Sequence, residues 1–326
     1  MTQAIIIHAT GAPDAMQLEN VDIAAPAANE VLVRHTVIGV NFIDVYFRSG
    51  LYPTPSPLPS GLGKEGAGVV EAVGSAVRDF KVGDRVAYCN GPLGAYSERR
   101  LIAEEFLVPI PDGIDDETAA SVMLKGLTVQ YLFRQTYPLA AGETFLFHAA
   151  AGGVGLIACQ WAKALGAVMI GTVGSDEKAA QALAHGCTHV INYREENFVE
   201  RVRDITRGEG VGVVYDSVGK DTFPHSLDCL KLRGLWVSFG NASGVVPPMD
   251  INLLARKGSL FMTRPGLFDY AATRGAFLAM TQELFALILA GKIQARPHHR
   301  MALKDAAEAH RLLESRQTTG AVVLLP

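Results

Sequence analysis

Cysteine is scarce: Cys89, Cys159, Cys187 and Cys229 are the only four, far apart and with no Cys-x-x-Cys pair. That excludes a disulfide framework and a zinc ribbon, and it predicts four reduced thiols in a cytoplasmic protein. Charge of one sign is also missing. Against 29 Lys and Arg stand 33 Asp and Glu, a formal net charge of −4. With no basic stripe interleaved with aromatics, neither nucleic acid nor an anionic membrane is an expected partner. No apolar run approaches the roughly 20 residues of a spanning helix. The first eight residues, Met1 to His8, lack a charged leader followed by a cleavage site, so they read as a first strand rather than a signal peptide. Repeats, low-complexity tracts and extended linkers are absent too.

What is present is apolar and divided. Hydrophobic residues make up 49% of 326 positions, enough for two cores rather than one. Up to about residue 120 short strand patterns are broken by Gly and Pro, as at 30–38, 68–74 and 82–88, with a proline-rich connector at 52–59. From about residue 122 strand and helix patterns alternate at the interval of βαβ units. The expected fold class is α/β: a doubly wound parallel sheet over 123–258, and a β-rich domain made of 1–122 and 259–326. The strand pattern at 321–325 needs a sheet to join, so the tail is expected to return to the first domain.

The most informative turn lies at 148–155. An apolar strand, Glu143 to Phe147, runs into Ala151, Gly152, Gly153, Val154 and Gly155, and a helical pattern follows to Leu165. Strand, glycine turn and helix form the setting in which a backbone can approach a pyrophosphate at a helix N-terminus. The spacing departs from a strict Gly-x-Gly-x-x-Gly, so alone it is compatible with a plain tight turn.

Cofactor preference is read about twenty residues further on, where an acidic residue would bind a ribose 2′-hydroxyl. Here the strand ends at Gly174 and Ser175 with no carboxylate at its tip, and Lys178 follows. The pattern favours NADPH, whose 2′-phosphate is anionic, over NADH. Asp176 and Glu177 read as solvent-facing helix-start charges. Lys178 also reads as an ordinary surface lysine, and Tyr193, at the end of the third strand, as either an adenosine-side aromatic or packing.

Residues 41–53, with Asn41, Asp44, Tyr46, Arg48, Gly50, Tyr52 and Pro53, resemble the zinc-free quinone oxidoreductases of the medium-chain dehydrogenase/reductase superfamily. Blocks at 61–70, 81–86, 124–128, 149–155, 215–219, 237–241 and 260–265 follow in the family's order, so the resemblance spans essentially the whole chain. It implies a GroES-like fold for the β-rich domain. Zinc-dependent relatives place Cys where Asn41 stands and His where Lys64 stands, and neither replacement suits tetrahedral zinc. No metal is therefore expected, and alcohol oxidation loses its Lewis acid.

The resemblance places Asn41, Tyr46 and Tyr52 around the nicotinamide and the acceptor, with Arg264 adding positive charge to the pocket. It places Ser217, Phe239 and Gly240 along the cofactor groove, Thr128 near the nicotinamide ribose, and Arg316 near the adenosine phosphate. Competing readings of these residues are plain: packing aromatics for Tyr46 and Tyr52, a helix cap for Asp44, and a surface or inter-lobe ion pair for Arg48. His298 and His299 read as solvated loop, and 304–311 as a charged helix face.

The implied activity is NADPH-dependent quinone reduction without zinc or flavin, by one- or two-electron transfer. The alternatives are reduction of enoyl or alkenal double bonds, and a non-catalytic NADPH- or RNA-binding protein, which the acidic balance disfavours. The apolar edge strand at 260–263 predicts a homodimer.

Overall fold

The computed structural model describes all 326 residues. The chain opens with β1 (Thr2–Ile7), β2 (Met16–Val21) and β3 (Glu30–Val40), then helix α1 (Phe42–Ser49). After these come β4 (Ser60–Gly61), β5 (Glu65–Val73), β6 (Arg85–Tyr88), β7 (Arg99–Ala103), β8 (Val108–Pro109) and helix α2 (Asp116–Tyr131). The alternating part is β9 (Thr144–Phe147), α3 (Gly153–Leu165), β10 (Val168–Val173), α4 (Asp176–Ala184), β11 (His189–Asn192), α5 (Phe198–Ile205), β12 (Val211–Asp216), β13 (Leu230–Ser238) and β14 (Phe261–Thr263). A helix at Arg274–Leu289, β15 (Pro297–Ala302), a helix at Ala306–Glu314 and β16 (Ala321–Leu325) complete the chain.

These elements form two compact units. The first comprises Met1–Leu127, Thr273–Leu289 and Ala295–Pro326; the second comprises Thr128–Ala272 and Ala290–Gln294. The expected boundaries at 122/123 and 258/259 therefore need correcting. The first division falls inside α2, and the second unit runs past 258 because β14 is hydrogen-bonded into its sheet, with Leu235 opposite Phe261. Backbone pairing, not the apolar pattern of the segment, decides to which sheet a strand belongs.

In the first unit the larger sheet runs β15-β16-β3-β5-β6-β8, with β7 also on β3; a smaller one runs β2-β1-β4. The last strand joins as expected: β16 lies antiparallel to β3, Val323 opposite Gly39. One core unites Ile5, Val33, Ile38 and Tyr96 with Leu303, Ala309 and Leu313 from the tail. The second unit is a parallel sheet in the order β11-β10-β9-β12-β13-β14. That order reverses direction at β9, and the crevice at the strands' carboxyl ends beside such a reversal is where open α/β sheets bind ligands. Leu146, Ile170, Ile191, Val214 and Trp236 fill its core. Between β12 and β13 the connecting helix is a single turn, His225–Asp228.

Candidate active site

At the end of β3 the chain leaves the sheet at Asn41, whose extended backbone (φ −138°, ψ 154°) makes it the N-cap of α1. The Asp44 carboxylate Oδ2 accepts from the Asn41 N–H at 2.9 Å, satisfying an amide that a helix start would otherwise strand. The cap reading of Asp44 is thus sound as far as it goes. Gly50 ends the helix in the left-handed region (φ 80°), where a side chain would be strained. This short helix brings the two tyrosines together: Tyr46 and Tyr52 lie 5.0 Å apart between ring centroids. The Tyr52 N–H donates to the Tyr46 carbonyl at 3.0 Å.

Beneath Asn41 lies Glu65, fully buried at the start of β5. Its Oε2 accepts from Asn41 Nδ2 at 2.7 Å and from Lys125 Nζ at 3.1 Å. Its Oε1 accepts from the Leu124 N–H at 2.7 Å. Lys64 is buried too, and its ammonium donates to the Gly91 carbonyl. Burial pulls its pKa below the ordinary lysine value.

Neither Asn41 Nδ2 nor Lys64 Nζ offers a lone pair to a cation here, since both nitrogens are donors to oxygen, and an amide oxygen and an ammonium are not the thiolate and imidazole that zinc prefers. No three His, Cys, Asp or Glu side chains gather as a metal-holding group. The donor set does not fit zinc, and no step is derived through one.

A second buried chain runs from the other side of α1. Tyr96 Oη donates to Asp44 Oδ2 at 3.1 Å and lies 3.0 Å from His310 Nε2. Arg48, one turn beyond Asp44 and only 1% exposed, donates from Nη2 to Glu314 Oε1 at 2.7 Å. Burial pushes the Asp44 carboxyl up to about 7. Burial, with Arg48 nearby, pushes His310 down to about 3. Two expectations fail here. Arg48 forms an ion pair, but its guanidinium is interior rather than on the surface. The 304–311 segment is not merely a charged face, because His310 points into the core. Periodicity could not reveal this, as the buried partners Asp44 and Tyr96 lie far off in the chain.

In the second unit β9 delivers the chain to a turn in which Ala149 takes φ 58°. Gly152 is the N-cap of α3, with no side-chain cap over the amides that follow. A Cβ on Gly155 would lie 2.4 Å from the Ala149 carbonyl and 2.5 Å from that of Ala150. Only glycine allows α3 to start so close to the turn. Uncapped first-turn amides on Gly153, Val154 and Gly155 suit a pyrophosphate, which is the fit a dinucleotide requires.

The tip of β10 gathers the remaining adenosine-side candidates. A Cβ on Gly174 would meet Tyr193 Oη at 2.6 Å, so the tyrosine lies across that glycine. Ser175 caps α4 by accepting from the Lys178 N–H at 3.3 Å. Asp176 is exposed, though its carboxylate also accepts from Asn192 Nδ2 at 3.0 Å.

At the carboxyl ends of β12 and β13, Ser217, Phe239 and Gly240 converge. Gly240 has no room for a Cβ, which would sit 2.5 Å from the Ser217 carbonyl. The Phe239 ring packs tilted against Phe147, with centroids 5.6 Å apart. Arg264 Nη1 donates to the carbonyls of Ser238 at 2.9 Å and Gly240 at 3.1 Å, so the guanidinium belongs to this strand-end group. Below it Asp216, fully buried, accepts from Thr222, Ser226 and Trp236. Thr128 is a buried residue of α2. Arg316 follows the helix Ala306–Glu314 in the first unit, exposed and with φ 57°.

Glu65, Lys125, Asp216 and His310 carried no signal of their own. The first three were visible only as members of the 61–70, 124–128 and 215–219 blocks.

A GroES-like sheet domain, a six-stranded nucleotide-type sheet and a metal-unfit polar cluster define a medium-chain dehydrogenase/reductase. Residues 27–112 match the alcohol dehydrogenase GroES-like domain, and 153–272 match the family described as zinc-binding dehydrogenase. The chain is 59% identical to a quinone oxidoreductase of Pseudomonas aeruginosa over the full length of both. It is 46% identical to a 2-haloacrylate reductase of a Burkholderia species, over 100% of this chain and 99% of that one. The crystal structure of Escherichia coli quinone oxidoreductase complexed with NADPH superposes with a TM-score of 0.97 at 53% identity, covering 99% of this chain and 100% of that one. The chain belongs to the quinone oxidoreductase family.

Proposed function

We propose that this protein reduces quinones at the expense of NADPH, without zinc or flavin. The observation that carries the reading is the donor set around Glu65 and Lys64: it leaves no Lewis acid, and a quinone carbonyl needs none. Bound NADPH supplies hydride equivalents. The chain's own residues then have three tasks. Ala151, Gly152, Gly153, Val154 and Gly155 form the turn around the pyrophosphate, with the first-turn N–H groups of α3 donating to it. Gly174, Ser175, Lys178 and Tyr193 take the adenosine end, with Lys178 answering the 2′-phosphate and Arg316 and Thr128 as further contacts. Ser217, Phe239 and Gly240 line the groove at the strand ends.

Asn41 orients the nicotinamide side. Tyr46 or Tyr52 donates a hydrogen bond to the acceptor oxygen as charge develops there, and Arg264 adds positive potential.

Steady-state rates with NADPH and 1,4-benzoquinone or 9,10-phenanthrenequinone, against 2-alkenals and crotonyl thioesters, test this. Higher kcat/KM for the quinones is expected; strong preference for the enoyl compounds overturns it. That second outcome is favoured by one observation, the full-length similarity to a 2-haloacrylate reductase, whose named substrate is an electron-poor alkene.

We further infer a homodimer joined through β14. Phe261 is 60% and Met262 51% exposed on this edge strand, and exposed edges invite pairing. Four free, buried thiols support a cytoplasmic setting. No helix is long and apolar enough to cross a membrane.

A further inference from the structure

We propose that Glu65 is a positioning residue for the reaction, whose carboxylate decides which atom of the Asn41 amide is offered to the cofactor. The inference rests on Asn41 serving the cofactor. A carboxylate accepts and never donates, so Asn41 must turn Nδ2 toward Glu65 Oε2. That turns Oδ1, which faces the Asp44 N–H in the capping box of α1, outward as the amide's acceptor with a second lone pair for a ligand N–H or O–H, and it excludes the reversed amide. Asn41 is thereby an acceptor, complementary to the carboxamide or hydroxyl donors of a nicotinamide nucleoside.

Glu65 is itself held on every side. Lys125 Nζ shares Oε2 with Asn41, and the Leu124 N–H takes Oε1. Gly39, just before the junction, packs flush against the carboxylate: a Cβ there would lie 2.2 Å from Oε2. Neither rotation nor withdrawal is open to it.

A merely structural role explains less. The backbone N–H of Asn41 is already satisfied by Asp44, so the helix start does not need Glu65. The Glu65–Lys125 ion pair has side-chain exposures of 0% and 6%. Such buried pairs commonly break even against well-packed apolar residues, so fold stability alone gives weak reason for one here. What the pair adds is direction: an ionised, immobile acceptor under the Asn41 amide.

The test is a double-mutant cycle read as NADPH Kd by calorimetry, with no turnover involved. Glu65→Gln presents an amide to Asn41 and Lys125 in place of a pure acceptor, and it permits the Asn41 amide to reverse. It should raise Kd about tenfold, the scale of one lost buried hydrogen bond. In the Asn41→Ala background the same substitution should change Kd by less than about twofold, because the residue through which it acts is gone. Additive losses, or an unchanged Kd in Glu65→Gln alone, overturn the inference.

Glu65→Gln also leaves the Lys125 ammonium unpaired, so the cycle is repeated with Lys125→Met in every member. Lys125→Met should recover Tm in the Glu65→Gln chain while Kd stays raised; recovery of both would make the pair purely structural and overturn the proposal. If Asn41→Ala itself changes neither Kd nor turnover, the cofactor role of Asn41 falls instead, an outcome distinct from additivity.

Discussion

Lys178 shows what one side chain contributes beside a strand tip that carries no acidic residue. The tip of β10 has no carboxylate, and Gly174, Ser175, Lys178 and Tyr193 meet there. Lys178→Ala should raise the NADPH KM on the order of tenfold, the worth of one charge-assisted hydrogen bond, and leave the NADH KM nearly unchanged. Equal effects on both cofactors would remove Lys178 from the 2′-phosphate site. At this scale the residue types that gather at the tip of β10 were largely legible, because the glycine, serine, lysine and tyrosine sit in recognisable local patterns. Glu65 was not legible in the same way. Its significance comes from Asn41 and Lys125, 24 and 60 residues away in the chain, and no local pattern encodes that meeting.

Two helices carry the next level. Asp44 and Arg48 share one face of α1, and His310 and Glu314 share one face of the helix Ala306–Glu314, each pair four residues apart. Tyr96 links the first members and an ion pair links the second. The seam is pH-sensitive with opposing signs. His310, at about 3 when folded against 6.5 ordinarily, binds fewer protons folded than unfolded, so its contribution is complete above 6.5 and is lost as pH falls from 6.5 toward 3. Asp44, at about 7 against 3.8, does the reverse: its contribution is complete below 3.8 and is lost as pH rises toward 7.

His310→Gln should therefore flatten the acid-side decline of unfolding free energy, by up to about 1.4 kcal/mol per pH unit for one proton. Asp44→Asn should change the slope in the opposite sense between 3.8 and 7. Urea titrations at several pH values, read for both variants, decide it; parallel curves for His310→Gln and the parent would show that His310 titrates normally. The charged residues of 304–311 look solvated by pattern, and only the packing of that helix on the first core makes His310 interior.

For the whole molecule, sheet membership matters most. The apolar run at 260–263 reads as an edge strand of the nucleotide-type sheet, and the pairing of 261–263 with β13 at the end of the strand order agrees. Phe261→Lys with Met262→Glu should yield a monomer in a sedimentation experiment in which the parent is dimeric; a dimer that survives the double change would place the interface elsewhere.

By itself the sequence determined the α/β alternation, the glycine turn before α3, the uncharged tip of β10 and the absence of zinc-type ligands at Asn41 and Lys64. All are local: a strand, a turn and a helix start are set by residues a few positions apart, and a missing ligand is visible as a letter. Tertiary structure alone decided that the division falls within α2, that Arg48 and His310 are interior, and that Glu65 holds Asn41 and Lys125 together. Those outcomes depend on burial and on hydrogen bonds across long separations, where the energy of a charge is set by partners that no stretch of sequence contains.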